Sequence, residues 1–472
     1  MMPTPARAIE QLGPDFYDPV TPARFPEHRL RLRNDRAAAE IGVETLSDDA
    51  WIAHMARFEP FEGSLPQPLA LRYHGHQFRS YNPDLGDGRG FLFAQLHDLA
   101  DGRLLDLGTK GSGTTPWSRS ADGRLTLKGG VRELLATEML EALGVDTSKT
   151  FSLVETGEHL HRGDEPSPTR GSVLVRLNHS HIRIGSFQRQ AALADVAATR
   201  KLLDYTITTY MPAVWREDEA ARAVAFLTEV VARVARTGAA WMAAGFVHGV
   251  LNTDNVNVTG ESFDYGPWRF LPTFDLGFTA AYFDHQGLYA YGRQPGTLLW
   301  NLIRLAECLL PLAPQAAFEA ALDTYRPAYD AALRAATLRR LGLASAGIAA
   351  DEALLLAWGT FLEQSRVPYE QAVFDWRGGL VSTPRAAASP SAAAYADAAF
   401  RPVRDAFSEH GPADDVNLDQ PYFAAASPCT MLVDDVEALW TPIAEADDWT
   451  PLAAKVEAIA TMSRAYETRI GD

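Results

Sequence analysis

Polar residues are concentrated between apolar residues in the segment 245–267, GFVHGVLNTDNVNVTGESFDYGP. Asn255 and Asp264 stand at opposite ends of a β-hairpin that the apolar alternation at Val256–Thr259 predicts. Two oxygen ligands of this kind can hold Mg²⁺, which takes its other ligands from water and from the phosphates of a nucleotide. Asp254 is then an available carboxylate base. An Asx-rich turn without a metal is the alternative interpretation.

A glycine-rich turn, GDGRG, immediately precedes the apolar run FLFAQL and contains Gly86, Gly88 and Arg89. Glycine permits positive φ and close approach of the backbone, so the N–H groups of such a turn can face a phosphate. The guanidinium of Arg89 adds a charge and a fork of donors. A plain hairpin turn explains the same residues equally well.

Lys110 ends the run LLDLGTK, whose alternation predicts a strand with one partly buried face. A buried ammonium group needs a carboxylate or a phosphate as its partner, because an unpaired buried charge is costly. Glu133 is the natural partner, since it falls in the first turn of a helix predicted to begin near Gly130. The alternative is a solvent-facing lysine at the end of a strand.

Two further segments supply candidate anion contacts. The loop Ser120–Arg124 contains Asp122 and Gly123, and the segment RLNHSHIR begins at Arg176 and ends at Arg183. The spacing of the two arginines does not by itself bring them together on a strand or a bent loop. Their participation in one site is therefore a hypothesis that the local sequence leaves open.

The elements that must position these residues change along the chain. From Leu69 to about Arg183, short β-like runs alternate with Gly and Asp-Gly turns, and Val131–Leu143 has the period of an amphipathic helix. From Glu219 onward the runs are helical: Glu219–Ala244, Leu298–Leu309, Pro314–Ala336 and Asp351–Gln364. The Ala-rich segment 385–399 is either a loop leading into a short helix or a mobile surface segment. We predict an α+β fold with a β-rich nucleotide-binding lobe and N-terminal extension at residues 1–200, and a helical lobe with the catalytic and metal-binding loops at 201–472.

Composition limits the class of protein. The 472 residues carry 43 Lys+Arg and 60 Asp+Glu, a net charge of −17, which argues against a nucleic-acid or anionic-membrane binder. The two cysteines, Cys308 and Cys429, build neither a disulfide framework nor a Cys-based zinc site. Two His-x-His pairs lack the other ligands of zinc, so we expect them to be hydrogen-bonding histidines. No export signal or membrane span is evident, and we expect a cytoplasmic monomer.

Seven collinear blocks of the chain carry a family resemblance. They are YHGHQFRSYNPDLGDGRG (Tyr73–Gly90), KGSGTTPWSRSADGR (Lys110–Arg124), VRELLATEMLEALGV (Val131–Val145), VLVRLNHSHIRIGSF (Val173–Phe187), HGVLNTDNVNV (His248–Val258), FDYGP (Phe263–Pro267) and QPGTLLWNLIRLA (Gln294–Ala306). Together they are far more specific than any one of them, and they resemble the selenoprotein O family, also called SelO or YdiU.

The resemblance implies a bilobal protein-kinase-like fold that binds ATP in an inverted orientation and transfers AMP to Ser, Thr or Tyr hydroxyls of protein substrates. It also implies Mg²⁺ or Mn²⁺ at Asn255 and Asp264, Asp254 as the base, and Glu133 paired with Lys110. The residues implied to bind the nucleotide are Gly86, Gly88, Arg89, Lys110, Asp122, Gly123, Arg176, Arg183 and Asp264.

The catalytic loop departs from that of a protein kinase. Kinases have H-R-D followed by a metal-binding Asn. Aligning Asn255 with that Asn places His248 at the His and Val250 at the catalytic Asp. Valine cannot accept a proton, which disfavours a kinase-like phosphotransferase, the first alternative. The second alternative is a nucleotide-binding pseudokinase scaffold, which does not need the metal ligands.

Overall fold

A computed structural model describes residues 3–163 and 165–466 of the protein. Its strands lie mostly in the first 178 residues and are short except near the centre of the sheet. They are β1 (Pro5–Ala6), β2 (Tyr17–Pro19), β3 (Arg29–Arg33), β4 (Leu69–Leu71), β5 (Gly75–Gln77), β6 (Ser80–Asn82), β7 (Leu92–His97), β8 (Leu104–Lys110), β9 (Leu125–Thr126), β10 (Lys149–Leu160), β11 (Thr169–Asn178), β12 (Phe246–His248) and β13 (Trp268–Phe270).

Nine of these strands form one antiparallel sheet. Its order is β2-β4-β7-β8-β11-β10-β3, with β1 added to β7 and β9 to β11. Strands β7 and β8 form a hairpin around Asp101-Gly102, because they pair with Leu96 opposite Leu105 and Gly102 has a φ of 74°. The pairs β5–β6 and β12–β13 form two small separate sheets.

The α-helices lie mostly after the last long strand, β11. They are α1 (Asp35–Glu40), α2 (Asp48–Met55), α3 (Leu127–Ala142), α4 (Ile184–Ala192), α5 (Val196–Tyr210), α6 (Glu219–Ala244), α7 (Gln294–Leu309), α8 (Gln315–Asp323), α9 (Tyr325–Leu341), α10 (Ile348–Ser365), α11 (Tyr369–Trp376), α12 (Thr383–Ala388), α13 (Ala392–Ala396), α14 (Arg401–Phe407), α15 (Val433–Ala446) and α16 (Thr450–Tyr466). The predicted α+β class, β-rich first and helical afterwards, is confirmed.

Helix ends follow local capping chemistry. The prediction for α6 is confirmed: the Asp218 carboxylate accepts the Ala221 N–H at 2.8 Å, and Gly245 ends the helix with a φ of 65°. Helix α3 begins at Leu127, earlier than predicted, because the Thr126 hydroxyl caps it by accepting the Gly129 N–H.

The structure corrects one predicted helix and defines the conformation of the Ala-rich segment. The predicted helix Pro314–Ala336 is two helices, α8 and α9, joined at Thr324. In one continuous helix the ring of Pro327 would clash with the carbonyl group four residues earlier, so the break precedes it. The Ala-rich segment 385–399 contributes to α12 and contains α13, and Tyr395 within it donates a hydrogen bond to Asp375 at 2.7 Å.

The hydrophobic core joins the sheet to the helices. Helix α3 packs against β10 and β11 on one side and against α15 and α16 on the other. One core cluster extends from Leu92 of the sheet through Leu135 of α3 to Leu227 of α6. The predicted boundary between residues 200 and 201 falls inside α5, and the division into two domains stays a prediction. Within the described residues, no helix combines the length and apolarity needed to cross a membrane.

Candidate active site

A cavity of about 340 Å³ lies between the glycine-rich turn, the end of β8 and the loop that follows α6. Most of the residues singled out from the sequence line it: Gly86, Gly88, Arg89, Lys110, Arg176, Arg183, Asp254 and Asp264. Glu133, Asp122, Gly123 and Asn255 are not part of the lining. The structure therefore brings together the arginines 176 and 183, which the local sequence left unconnected.

Lys110 and Glu133 form a buried ion pair beneath the cavity. The ammonium of Lys110, at the end of β8, donates to Glu133 Oε2 at 2.5 Å, and neither side chain is more than 5% exposed. The sequence predicts Glu133 in the first turn of the helix. Because α3 starts at Leu127, Glu133 lies in the second turn instead. The pairing itself is as predicted, and the alternative of a solvent-facing lysine is wrong.

Asp264 is surrounded by three cations. Its Oδ1 lies 3.1 Å from Lys110 Nζ and 3.5 Å from Arg176 Nη1, and its Oδ2 lies 3.3 Å from Arg183 Nη1. Burial opposes ionisation of this carboxyl group, but the charges of the three cations outweigh it and hold the pKa of Asp264 well below its usual range. Its backbone adopts a left-handed conformation with a φ of 63°, which is typical of strained functional positions.

Arg183 contacts residues from several walls of the cavity. Its Nη1 donates to the carbonyl oxygen of Asp254 at 2.9 Å, and its Nη2 lies 3.4 Å from Asp87 Oδ1 in the glycine-rich turn. The guanidinium also stacks on the ring of Tyr73, 4.6 Å from its centroid. A single buried arginine thereby links the glycine-rich turn, the loop of Asp254 and the carboxylate of Asp264.

Asp254 lies in a 3₁₀ turn, Thr253–Asn255, and is 8% exposed. Its Oδ1 is buried and has no hydrogen-bond partner among the residues that the structure describes. Burial raises the pKa of this carboxyl group to about 6, against the opposing charge of Arg183. Gly75 approaches closely, since a Cβ there would lie 3.1 Å from Asp254 Oδ1. The result is a carboxylate held at the cavity wall with one oxygen uncommitted.

The predicted hairpin between Asn255 and Asp264 is wrong. The Val258 N–H donates to the carbonyl oxygen of Ile182, and the Ile184 N–H donates to that of Val256, both at 3.0 Å. Val256–Thr259 therefore pairs with the segment 182–184, which is distant in sequence and invisible to local alternation. The amide nitrogen of Asn255 donates to the carbonyl oxygen of Val250 at 2.8 Å, which leaves the amide oxygen as the atom available to a ligand.

His248 supports the same loop. Its Nε2 lies 3.5 Å from the carbonyl oxygen of Phe263, and its Nδ1 accepts the Val250 N–H at 3.3 Å. Burial lowers the pKa of His248 to about 4, so the ring is neutral at physiological pH. A neutral histidine that carries its proton on Nε2 satisfies both contacts. It fixes the spacing between the loop of Asp254 and the segment of Asp264.

Gly86 and Gly88 of the GDGRG turn allow the backbone to pack closely against Trp117. A Cβ on Gly86 would lie 2.4 Å from the Trp117 ring, and one on Gly88 would lie 2.9 Å from the Trp117 carbonyl oxygen. Their φ angles are not in the left-handed region, so the expected use of positive φ does not apply at these two positions. The close approach is to the protein's own loop at Trp117, and the turn with that loop forms one rim of the cavity.

Asp122 and Gly123 lie next to the cavity rim but are not among its lining residues. The Asp122 carboxylate accepts hydrogen bonds from both terminal nitrogens of Arg162, at 2.8 and 3.0 Å. Gly123 has a φ of 69°, and a Cβ there would lie 2.2 Å from the Gly113 carbonyl oxygen. Their sequence neighbours Ser118, Arg119 and Ala121 do line the cavity.

Sequence reasoning missed several lining residues: Tyr73, Gln77, Asp87, Trp117 and Arg119. Asp87 and Arg119 could have been found, because they sit inside or beside the loops that were singled out. Tyr73 and Trp117 have no local signal, since an aromatic residue is usually part of a core, and a single glutamine such as Gln77 has none either.

The cavity is cationic although the protein is acidic. Arg89, Lys110, Arg119, Arg176 and Arg183 line it, against the carboxylates of Asp87, Asp254 and Asp264. An excess of positive charge in a site on a chain of net charge −17 favours an anionic ligand such as a polyphosphate.

Comparison with known proteins decides the family. The family model described as "Protein adenylyltransferase SelO" matches residues 4–460. The chain belongs to the SelO family. It is therefore a nucleotidyltransferase, as the sequence resemblance implied.

SelO relatives match over most of this chain. A Synechocystis protein is 45% identical over 94% of this chain and 95% of its own length, and one from Gloeobacter violaceus is 44% identical over 94% and 92%. A Vibrio vulnificus relative is 36% identical over 77% and 73%. All three bear the name "Protein nucleotidyltransferase YdiU".

Among solved structures, this SelO chain matches ROP2 from Toxoplasma gondii, described as a virulence factor with a protein-kinase fold and no enzymatic activity. The match covers 82% of this chain and 92% of ROP2, at 11% identity and a TM-score of 0.26. A similarity at that level carries no argument about this protein.

Proposed function

We propose that this protein transfers AMP from ATP to Ser, Thr or Tyr hydroxyls of protein substrates and releases pyrophosphate. Family membership and the relatives named protein nucleotidyltransferase support nucleotidyl transfer. The observation that carries the proposal is the convergence of Lys110, Arg176 and Arg183 around Asp264, beside the uncommitted carboxylate oxygen of Asp254. This arrangement combines a cationic polyphosphate site with a carboxylate placed to receive a proton.

The cations hold the triphosphate in this proposal. Lys110, Arg176 and Arg183 are partly neutralised by Asp264 and gain further partners when phosphate oxygens approach. Arg89 is exposed at the mouth of the cavity and reaches the same anion from the turn that contains Gly86 and Gly88. Asp122 and Gly123 are assigned to the nucleotide site by resemblance alone, because neither lines the cavity and the Asp122 carboxylate binds Arg162.

Asp264 and Asn255 suit a hard divalent cation. The donors are a carboxylate of depressed pKa and an amide oxygen, the ligand types that Mg²⁺ and Mn²⁺ accept. A bound ion of this kind neutralises phosphate charge and orients the triphosphate. The chain itself keeps Asp264 ionised through Lys110, Arg176 and Arg183, so that the carboxylate is ready for the ion.

Asp254 serves as the general base. The acceptor hydroxyl oxygen bonds to the α-phosphorus while its proton passes to the Asp254 carboxylate. The bond between the α-phosphorus and its bridging oxygen breaks, and pyrophosphate leaves with that electron pair. Val250, at the position of the kinase base, takes no proton, so the base must lie elsewhere in the loop.

Label transfer from ATP tests the proposal. The protein is incubated with Mg²⁺ or Mn²⁺, ATP labelled at the α- or the γ-phosphate, and a mixture of Ser-, Thr- and Tyr-containing peptides. Covalent retention of the α-label alone supports adenylyl transfer. Retention of the γ-label alone overturns it in favour of a kinase-like phosphotransferase. Retention of neither label, with ATP binding established by calorimetry, overturns it in favour of a nucleotide-binding scaffold.

We also propose that the protein acts as a monomer in the cytoplasm. Its two cysteines are free, Cys308 being buried and Cys429 half-buried, which suits a reducing compartment. Light scattering coupled to size-exclusion chromatography measures the oligomeric state directly. A mass near twice the 51.6 kDa of the chain would contradict the monomer.

A further inference from the structure

The turn between β5 and β6 has an unusual backbone for its residues. Its two central residues, Phe78 and Arg79, have φ values of 49° and 64°. A two-residue hairpin turn with both φ angles positive strongly favours Asn-Gly or Asp-Gly, because residues with a bulky side chain are strained there. Strain of this kind is found at functional sites when the surrounding structure holds it in place.

The β5–β6 hairpin is held by the loop that carries Asp254. The His76 N–H donates to Thr253 Oγ1 at 2.7 Å, and the Phe78 N–H donates to Asn252 Oδ1 at 3.1 Å. Gln77, between them, lines the nucleotide cavity. Gln77 therefore lies at the cavity wall, and the next residue, Phe78, lies at the protein surface.

Exposed aromatic rings continue from this turn. Phe78 is 38% exposed and lies 5.8 Å, centroid to centroid, from Phe283, which is 41% exposed. Tyr282, 76% exposed, lies 5.1 Å from Phe283. We call Phe78, Tyr282 and Phe283 the aromatic platform. Exposed large rings in a contiguous row are uncommon on a protein surface and mark interaction sites.

The aromatic platform is ordered by buried contacts. The Asp284 carboxylate, next to Phe283, accepts the N–H groups of Leu288 and Tyr289, each at 2.8 Å. The ring of Tyr289 lies 5.0 Å from Phe78, and its hydroxyl donates to Asn252 Oδ1 at 2.6 Å. The rings are therefore placed before any ligand arrives, which lowers the entropic cost of binding.

We propose that the aromatic platform docks the protein substrate by an apolar side chain that flanks the acceptor hydroxyl. The proposal rests on the proposed function, because it assigns the acceptor of that same site. The platform adjoins the loop of Asp254, to which the hydroxyl must come, so a chain that presents its hydroxyl there passes over these rings. The nucleotide is not the occupant, since Gln77 lines the cationic cavity and none of the three platform residues does.

Scanning peptide libraries test the platform. Each library fixes one Ser, Thr or Tyr acceptor in an alanine-rich peptide and varies one flanking position at a time, and incorporation of α-labelled AMP is measured. We expect the wild-type protein to prefer aromatic or large aliphatic residues at one flanking position. In the Tyr282→Ala/Phe283→Ala variant we expect kcat/KM for the preferred peptide to fall roughly five- to thirtyfold, mainly through KM. Peptides with alanine at that position should be modified as before.

A second variant separates docking from folding. Phe78→Asn removes the ring but suits the left-handed backbone, so the turn should form at least as well as in the wild type. The same loss of apolar preference is expected. Leu356→Ala is the control, because Leu356 is 74% exposed on α10 and should leave the preference unchanged.

The outcomes distinguish the two proposals. A wild-type protein that modifies all peptides equally, or variants that keep the wild-type preference, overturn the docking surface while adenylyl transfer stands. Absence of α-label from every peptide under wild-type conditions overturns the proposed function, and the docking surface with it.

Discussion

The ammonium of Lys110 donates to Glu133 at 2.5 Å and lies 3.1 Å from Asp264 on its other side. One cation thus connects a helix carboxylate that is buried within the protein to a carboxylate that faces the cavity. Glu133 fixes the position of Lys110, while Asp264 is the partner that a phosphate group can replace. Exchange of that partner would free Asp264 for a metal ion as the nucleotide enters.

Removing Lys110 should cost stability that a second substitution restores. Lys110→Met leaves the 1%-exposed Glu133 paired with the more distant Arg176, at 3.4 Å, so the free energy of unfolding should fall by roughly 3 kcal/mol. In Lys110→Met/Glu133→Gln the uncompensated charge is gone, and much of this loss should be recovered. ATP affinity should be lost in both. Urea unfolding and calorimetric titration measure the two quantities, and equal stability of the single and double variants would contradict a coupled pair.

Asp264→Asn should remove the metal dependence of nucleotide binding. The amide keeps the size of the side chain but not the charge that a divalent cation requires. We expect ATP affinity in Mg²⁺ to fall to its value in EDTA and turnover to be lost, as measured by calorimetry and pyrophosphate release. Asp275→Asn, which removes the same charge near Arg366, is the control. Full activity of the Asp264 variant would refute the metal assignment.

Asp254→Asn should separate binding from chemistry. Asp254 lines the cavity, whereas Arg183 binds the backbone carbonyl of Asp254, which the substitution keeps. ATP affinity should stay within about twofold while kcat falls by roughly 100-fold or more, the usual contribution of a general base. Single-turnover transfer and ATP titration measure the two effects. If affinity falls instead, Asp254 is a ligand and not the base.

Local signals explain which elements the sequence predicts well. The predicted bounds of α6 agree with the structure at both ends, because Asp218 caps its N-terminus and Gly245 caps its C-terminus. Pro327 could have divided α8 from α9, since its ring is incompatible with the middle of a helix. By contrast, the pairing of Val256–Thr259 with residues 182–184 depends on a contact between distant segments, so alternation alone suggested the wrong partner.

The candidate site also combines features that local sequence predicts with features that depend on contacts between distant segments. The Lys110–Glu133 pair follows from the cost of a buried charge, and that argument needs no tertiary information. The meeting of Arg176 and Arg183 at Asp264 depends on how the chain leaves β11, which no local pattern encodes. Asp122 faces outward because Arg162, distant in sequence, binds its carboxylate.

Glu261 should make the fold less stable as pH rises. Burial raises the pKa of its carboxyl group to about 8; the charge of Asp146 adds to this, while the His179 N–H, Lys149 and Arg103 oppose it. The unfolded chain loses this proton near the ordinary value of 4.5. At a pH between these two pKa values, Glu261 is ionised in the unfolded chain and protonated in the folded protein. The contribution of Glu261 to stability is therefore complete below the lower pKa. It decreases by about 1.4 kcal/mol per pH unit as the pH rises from the lower pKa to the higher one.

Glu261→Gln isolates this effect, because a glutamine is neutral at every pH and can still accept the His179 N–H at its side-chain oxygen. Urea unfolding of both proteins at pH 5 and pH 8 should give similar stability at pH 5 and a clear advantage of the variant at pH 8. Glu363→Gln makes the same charge change at an exposed position of α10 and should behave as the wild type at both pH values. Parallel pH dependence in the wild type and Glu261→Gln would mean that Glu261 is already ionised in the folded protein, with Lys149 and Arg103 compensating its burial.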